Sequence, residues 1–273
     1  MIGSNLRGVR AATKWLAQAI VLAIVATWSA NSASATTTFA IGDAGLETFN
    51  ITWDGKSESA LAGGISLTRM SGSIPSFVTV CTDIGGTVYL GYQYNYSDAT
   101  PFSGQGGIRP SWGAGNEDIP LDTPWASLSP SQQASAAAAI QAAADVFYQH
   151  QSVLTSGNTT EMAALQLAVW AALYNTSANG ATTLDGSRFK VTGGSDTGAI
   201  TDAALWLSEV NPNDKYVGYL LIPTPETQYS LPAQEMFYNV TPVPEASTLI
   251  AGALLLLPFG ASTLRVLRKH PRS

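Results

Sequence analysis

The sequence predicts an α+β body, a β-sandwich or barrel with an inserted helical cluster, set between an N-terminal signal peptide and a C-terminal membrane anchor helix. Three observations predict it. Alternating apolar and polar residues with glycine punctuation run from Phe39 to Tyr96. Three segments of helical composition follow between Ser129 and Val210, and two strand-like segments then close the body. The first 35 residues and the last 32 are of different composition, each pairing an apolar run with basic residues.

The signal peptide is expected over residues 1–35. Arg7, Arg10 and Lys14 form a positive start, Trp15 to Ala30 is apolar, and Ala33-Ser34-Ala35 supplies the small residues of a cleavage site. The body is expected over residues 36–241. Its strands are read at "FNITW" (Phe49 to Trp53), "GGISLTRM" (Gly63 to Met70), "FVTVCTDI" (Phe77 to Ile84) and "TVYLGYQYNY" (Thr87 to Tyr96). β-Branched and aromatic residues fill them, and Gly55, Gly72 and Gly85-Gly86 separate them. Ser97 to Ser127, rich in Gly, Pro and Asp, reads as a long loop.

The first helix opens with Ser129 as N-cap and Pro130 at its first position, and its alanine run favours helix intrinsically. The second opens on Asn158 and Glu161, a variant of the capping box. Asn175 and Gly180 are read as lying past its end. The third, "TGAITDAALWLSEV", stops before Asn211-Pro212. Strands return at Lys215 to Ile222 and Gln234 to Val240.

Charge restricts the partners. Charged residues make up 12% of the chain, about half the usual share. Residues 36–241 carry 6 basic and 18 acidic residues, a net charge of −12. An acidic body argues against nucleic acid and against anionic lipid. The basic ends read as topology signals instead.

The tail, residues 242–273, has an apolar run from Leu249 to Leu264 followed by Arg265, Arg268, Lys269 and Arg272. Sixteen residues at 1.5 Å each span about 24 Å, a short transmembrane helix with a positive stop. "VPEAST" precedes it. That order of parts resembles the PEP-CTERM sorting signal of Gram-negative bacteria, with Pro244 and Glu245 matching the motif and Ala246 replacing its second proline. The resemblance implies an exosortase-type processing protease, cleavage near Pro244 to Ser247, transient anchoring in the inner membrane, and export to the cell surface or extracellular matrix.

The informative stretch of the body is "MAALQLAVWAAL", Met162 to Leu173. Eleven of its twelve residues are apolar and the twelfth is Gln166. At about 100° per residue, Gln166 falls on the face carrying Met162, Val169, Trp170 and Leu173. The other side is mostly alanine, so the helix is expected to be buried all round, with Gln166 pointing into the protein. A buried amide without partners costs a few kcal/mol. Three readings are open: a hydrogen bond to a neighbouring strand's backbone, a ligand contact, or attack on its carbonyl carbon by a thiolate, with loss of ammonia, to give an internal thioester.

The chain has one cysteine, Cys81, on the strand read at Phe77 to Ile84. It is either a small buried hydrophobe or that nucleophile. "VCTD" (Val80 to Asp83), followed 85 residues after Cys81 by "LQLAVW", resembles the thioester domains of bacterial surface adhesins. Those carry a Cys on their β-rich part and a helical Thr-Gln-x-Ala motif. By position, Cys81 and Gln166 match the bonded pair, Ala168 the motif alanine, and Val169-Trp170 the apolar-Trp pair that commonly follows. Leu165 stands where the family has Thr.

The resemblance implies single-turnover covalent adhesion rather than enzymatic catalysis, with a surface amine-bearing partner acylated through Gln166 and with no cofactor. The alternative is a non-covalent polysaccharide-matrix module or structural surface protein, in which Trp112, Trp125, Tyr92, Tyr94 and Tyr96 offer aromatic faces. A cysteine hydrolase would need a base, and His150 and His270 are the two histidines. No metal motif occurs.

Overall fold

The computed structural model describes residues 36–84, 88–103, 127–177, 180–223 and 234–243. The signal peptide, the sorting tail with Pro244 and Glu245, Trp112 and Trp125 lie outside the described residues. No helix among the described residues is long and apolar enough to cross a membrane.

Two long strands, β1 (Thr37–Trp53) and β2 (Lys56–Ser71), form an antiparallel hairpin. Asp54 and Gly55 turn it, both at positive φ, as a two-residue turn matched to the twist of its strands requires. Asp54 also binds Arg188 through both carboxylate oxygens, at 3.0 Å and 3.2 Å. β1 bends at an irregularity between Asp43 and Leu46. There a Cβ on Gly63 would overlap the Gly45 carbonyl oxygen, and Gly63 has φ +149°, so glycine is required.

The bend lets one strand serve two neighbours on its second edge. Its start, Thr37 to Ala40, pairs with β4 (Gln93–Ser103), and its end, Phe49 to Trp53, with β5 (Phe189–Gly194). The sheet order is β3-β2-β1-β4-β6-β7, where β3 is Phe77–Thr79, β6 Tyr216–Pro223 and β7 Met236–Pro242. The two end strands approach each other. Cys81 bridges Met236, Thr82 N–H donates to the Glu235 carbonyl at 2.8 Å, and Thr79 Oγ1 donates to the Phe237 carbonyl at 2.7 Å. The mostly antiparallel sheet is therefore a nearly closed barrel with a seam beside Cys81.

The helices are α1 (Pro130–His150), α2 (Thr159–Asn175) and α3 (Thr197–Ser208). Ser129 caps α1 in a reciprocal box with Gln132, with Pro130 at the first turn. Asn158 Oδ1 caps α2 at Glu161 N–H. Asp196 caps α3 by accepting from Gly198 and Ala199. α2 packs on α1, α3 and the β1–β2 hairpin, and every residue from Met162 to Asn175 is buried. Its alanines let all these neighbours approach closely.

Several expectations are corrected. The loop read from Ser97 begins later, because β4 continues to Ser103 against β6. The strand read from Thr87 begins at Gln93, after a turn at Leu90 and Gly91. "FVTVCTDI" gives three strand residues and then the bridge at Cys81, since the chain leaves the β2 ladder to meet β7. Asn175 is the last residue of α2, and its side chain bonds Phe189 N–H and the carbonyls of Thr183 and Phe189. β5 was not anticipated. Tyr94 and Tyr96 do not offer an aromatic surface: β4 has neighbours on both edges and turns these side chains into the core.

Candidate functional site: a thiol and two carboxamides at the barrel seam

The Cys81 side chain is placed by the seam. β3 ends at Thr79, and the next residues leave β2 to bond the start of β7. α2 runs behind that junction. Gln166 and Tyr174, two turns apart, both reach it: Tyr174 Oη accepts from Ile84 N–H at 3.3 Å. Trp170, one turn from each, forms part of the wall of a nearby cavity.

Gln166 is 1% exposed and Cys81 2%. The Gln166 carboxamide is satisfied at both ends by one residue. Cys81 N–H donates to Gln166 Oε1 at 2.8 Å, and Gln166 Nε2 donates to the Cys81 carbonyl at 2.6 Å. The two residues singled out from sequence, 85 positions apart, are thus in direct contact. The arrangement also realises the backbone hydrogen-bonding reading of Gln166, and the backbone concerned is that of the cysteine itself, at the isolated bridge beyond β3.

A second carboxamide completes the site. Cys81 is a free thiol, and its S–H donates to Gln234 Oε1 at 2.6 Å. Gln234 Nε2 donates to the Asp83 carbonyl at 2.9 Å, and Tyr96 Oη donates to the Gln234 carbonyl at 3.3 Å. Burial, with the nearby Asp83 adding to it, pushes the Cys81 thiol well above its ordinary range. Burial likewise raises the Tyr96 phenol, with Cys81 and Tyr94 contributing. The site therefore holds a neutral thiol in a buried niche lined by carboxamides.

The backbone donor on Oε1 bears on chemistry at Gln166 Cδ. Attack there moves negative charge onto Oε1, the atom that already accepts from the Cys81 N–H. A backbone donor fixed before reaction is what stabilises such an oxyanion. Leu165 and Ala168 are fully buried. His150 stacks on Trp206 at 4.0 Å and approaches Glu209 at 3.6 Å. Among the described residues no group of three or more His, Cys, Asp or Glu could hold a metal ion. Sequence reasoning missed Gln234 and Tyr174. The available signals were a glutamine opening an apolar strand and a tyrosine in the helical register of Gln166.

Fold and site together define a class: a nearly closed antiparallel barrel packed against a buried helix, with a thiol–carboxamide pair at its seam. In comparisons with known proteins, no family model, no curated protein and no solved structure matches the chain.

Proposed function

We propose that the chain is an exported bacterial surface or matrix protein that adheres covalently through an internal Cys81–Gln166 thioester. The observation that carries this reading is the double hydrogen bond between the Gln166 carboxamide and the Cys81 backbone. It brings the sole cysteine and a buried glutamine together and aims a fixed donor at the carbonyl oxygen.

The chemistry balances within the site. Cys81 Sγ bonds to Gln166 Cδ, and charge collects on Oε1 against the Cys81 N–H. The C–N bond breaks, and nitrogen leaves as ammonia with the thiol's proton. The product is an acyl thioester protected by burial. A primary amine of a partner then attacks Cδ, an amide forms, and Cys81 returns as a thiol. Each molecule reacts once. The proposed sorting tail, with Pro244 and Glu245, would deliver the body through an exosortase-type protease to the surface or the extracellular polysaccharide.

The test is the intact mass of the purified protein beside Cys81→Ala. A wild type lighter than its composition by one ammonia, with a variant of full mass, is the expected outcome. Full mass in both, with one titratable thiol in the unfolded wild type, rules the thioester out.

A second reading, non-covalent contact with matrix polysaccharide, has one observation of its own. Tyr89 and Tyr92, 44% and 43% exposed, pair edge to face at 5.9 Å beside exposed Leu90. Loss of polysaccharide retention on Tyr89→Ser plus Tyr92→Ser, without an ammonia deficit in the wild type, would favour it.

A further inference from the structure

We infer that Gln234 is a positioning residue that latches the Cys81 thiol and separates it from a cavity through which small reagents reach the site. The Gln234 side chain is fixed at both ends, by Cys81 S–H at 2.6 Å and by the Asp83 carbonyl at 2.9 Å. Its own carbonyl is held by Tyr96 Oη. Three contacts on one half-buried residue leave it one position, with the amide oxygen against sulfur.

Gln234 also forms part of the wall of a cavity of about 240 Å³. The wall mixes apolar Leu61, Ile65, Val88 and Leu90 with polar Ser59 and Gln234, and its one charged residue is exposed Glu58. Trp170 belongs to the same wall. Gln234 is thus in contact with the sulfur and with the cavity at once. A molecule moving from this cavity to the sulfur past Gln234 displaces the carboxamide.

The latch sets the state of the thiol. An amide oxygen accepts a hydrogen bond but does not take the proton, so Gln234 keeps Cys81 neutral and turned toward itself. Reaction at Gln166 requires that bond to break and Sγ to turn toward Cδ. As a statement about the thiol, the latch rests on geometry alone. As the route of the partner amine, it rests on the acyl-transfer reading above.

The experiment measures alkylation of Cys81 by iodoacetamide in the folded full chain, after methylamine treatment to open any thioester. Wild type is compared with Gln234→Ala, Gln234→Met and Gln234→Glu from about pH 6 to 9, a span that includes the ordinary thiol range. Gln234→Ala is expected to react at least about tenfold faster than wild type. Gln234→Met, which keeps the bulk and loses the acceptor, falls between them. In Gln234→Glu the added carboxylate holds the thiol up further, as Asp83 already does, so reaction sets in at higher pH. Urea titration of the rates separates local opening from global unfolding. Equal rates in wild type, Gln234→Ala and Gln234→Met at every pH, or rates that all follow global unfolding, overturn the latch. If Gln234→Ala does not fold, Gln234→Met and Gln234→Glu decide. Intact mass before methylamine reports separately on the acyl-transfer reading. A wild type without the ammonia deficit sinks that reading, and the alkylation rates still judge the latch.

Discussion

Gln166 and the backbone of Cys81 are joined by two hydrogen bonds, 2.8 Å and 2.6 Å long, that fasten the central helix to the seam of the barrel. Each partner answers the other's need. The helix carries a polar group where water cannot reach it, and the seam leaves Cys81 N–H and C=O free of the β2 ladder.

That pairing makes Gln166 the more sensitive of the two positions. Gln166→Ala leaves a buried donor and a buried acceptor unpaired and is expected to cost about 2–4 kcal/mol. Cys81→Ala keeps both backbone groups and loses only the sulfur, at about 1 kcal/mol. Urea unfolding of the two variants checks the order. A Gln166→Ala loss no larger than that of Cys81→Ala would show that the double bond does not hold the seam.

The bend of β1 predicts a contrast between two glycines. At Gly63 a methyl group meets the Gly45 carbonyl and φ is +149°, so Gly63→Ala is expected to cost more than about 3 kcal/mol or to prevent folding. At Gly55, in the hairpin turn, nothing lies within 4 Å of the new methyl and only the positive φ is penalised. Gly55→Ala is expected to cost about 1 kcal/mol. Thermal melts of both variants measure the difference.

Asn175 ties the end of α2 to β5 through three hydrogen bonds of 2.8, 2.8 and 3.0 Å. Asn175→Leu removes all three while keeping similar bulk, and is expected to cost about 2–4 kcal/mol. Hydrogen exchange should show the loss first at Phe189 N–H, whose acceptor is the Asn175 oxygen.

His150 predicts a loss of stability in mild acid. Its folded-state pKa lies below the ordinary 6.5, because burial against Trp206 outweighs the attraction of Glu209 and Asp145. The unfolded chain then binds a proton that the folded chain resists. The stability involved is complete above the unfolded pKa and is lost as pH falls from about 6.5 through the folded value. Urea midpoints measured from pH 8 to 5 should fall less for His150→Phe, which keeps the stack without the proton, than for wild type. Parallel curves would remove His150 from the acid response.

The helices were the most legible part of the sequence. Ser129-Pro130, Asn158 with Glu161, and Pro212 beyond α3 act within a turn or two of themselves, so their effect is local and readable. The burial of Gln166 followed from the same locality: apolar residues surround it at every helical angle, and the structure buries the whole stretch. Strand lengths were less legible. β4 runs through Ser97 to Ser103, polar and proline-containing, because β6 supplies its partners from over a hundred residues away. β5 is short and weakly patterned, and it exists because β1 bends and exposes an edge to it. The two tyrosines of β4, Tyr94 and Tyr96, alternate with polar residues on one face of the strand, and that face is turned inward where the sheet closes.

By itself the sequence determined which residues carry polar chemistry in an apolar setting: one cysteine on a strand and one glutamine inside a helix. It also determined the acidic body and the caps that start the first two helices. Only the tertiary structure decided that these two residues meet, since the bonds between them span 85 positions, and that a second carboxamide, 153 positions from Cys81, holds the thiol. The physical reason is range. Caps, turns and periodicity are settled by neighbours along the chain, whereas the seam forms only when β7 closes the sheet against β3, and no local pattern marks the residue at which two distant strand ends will come together.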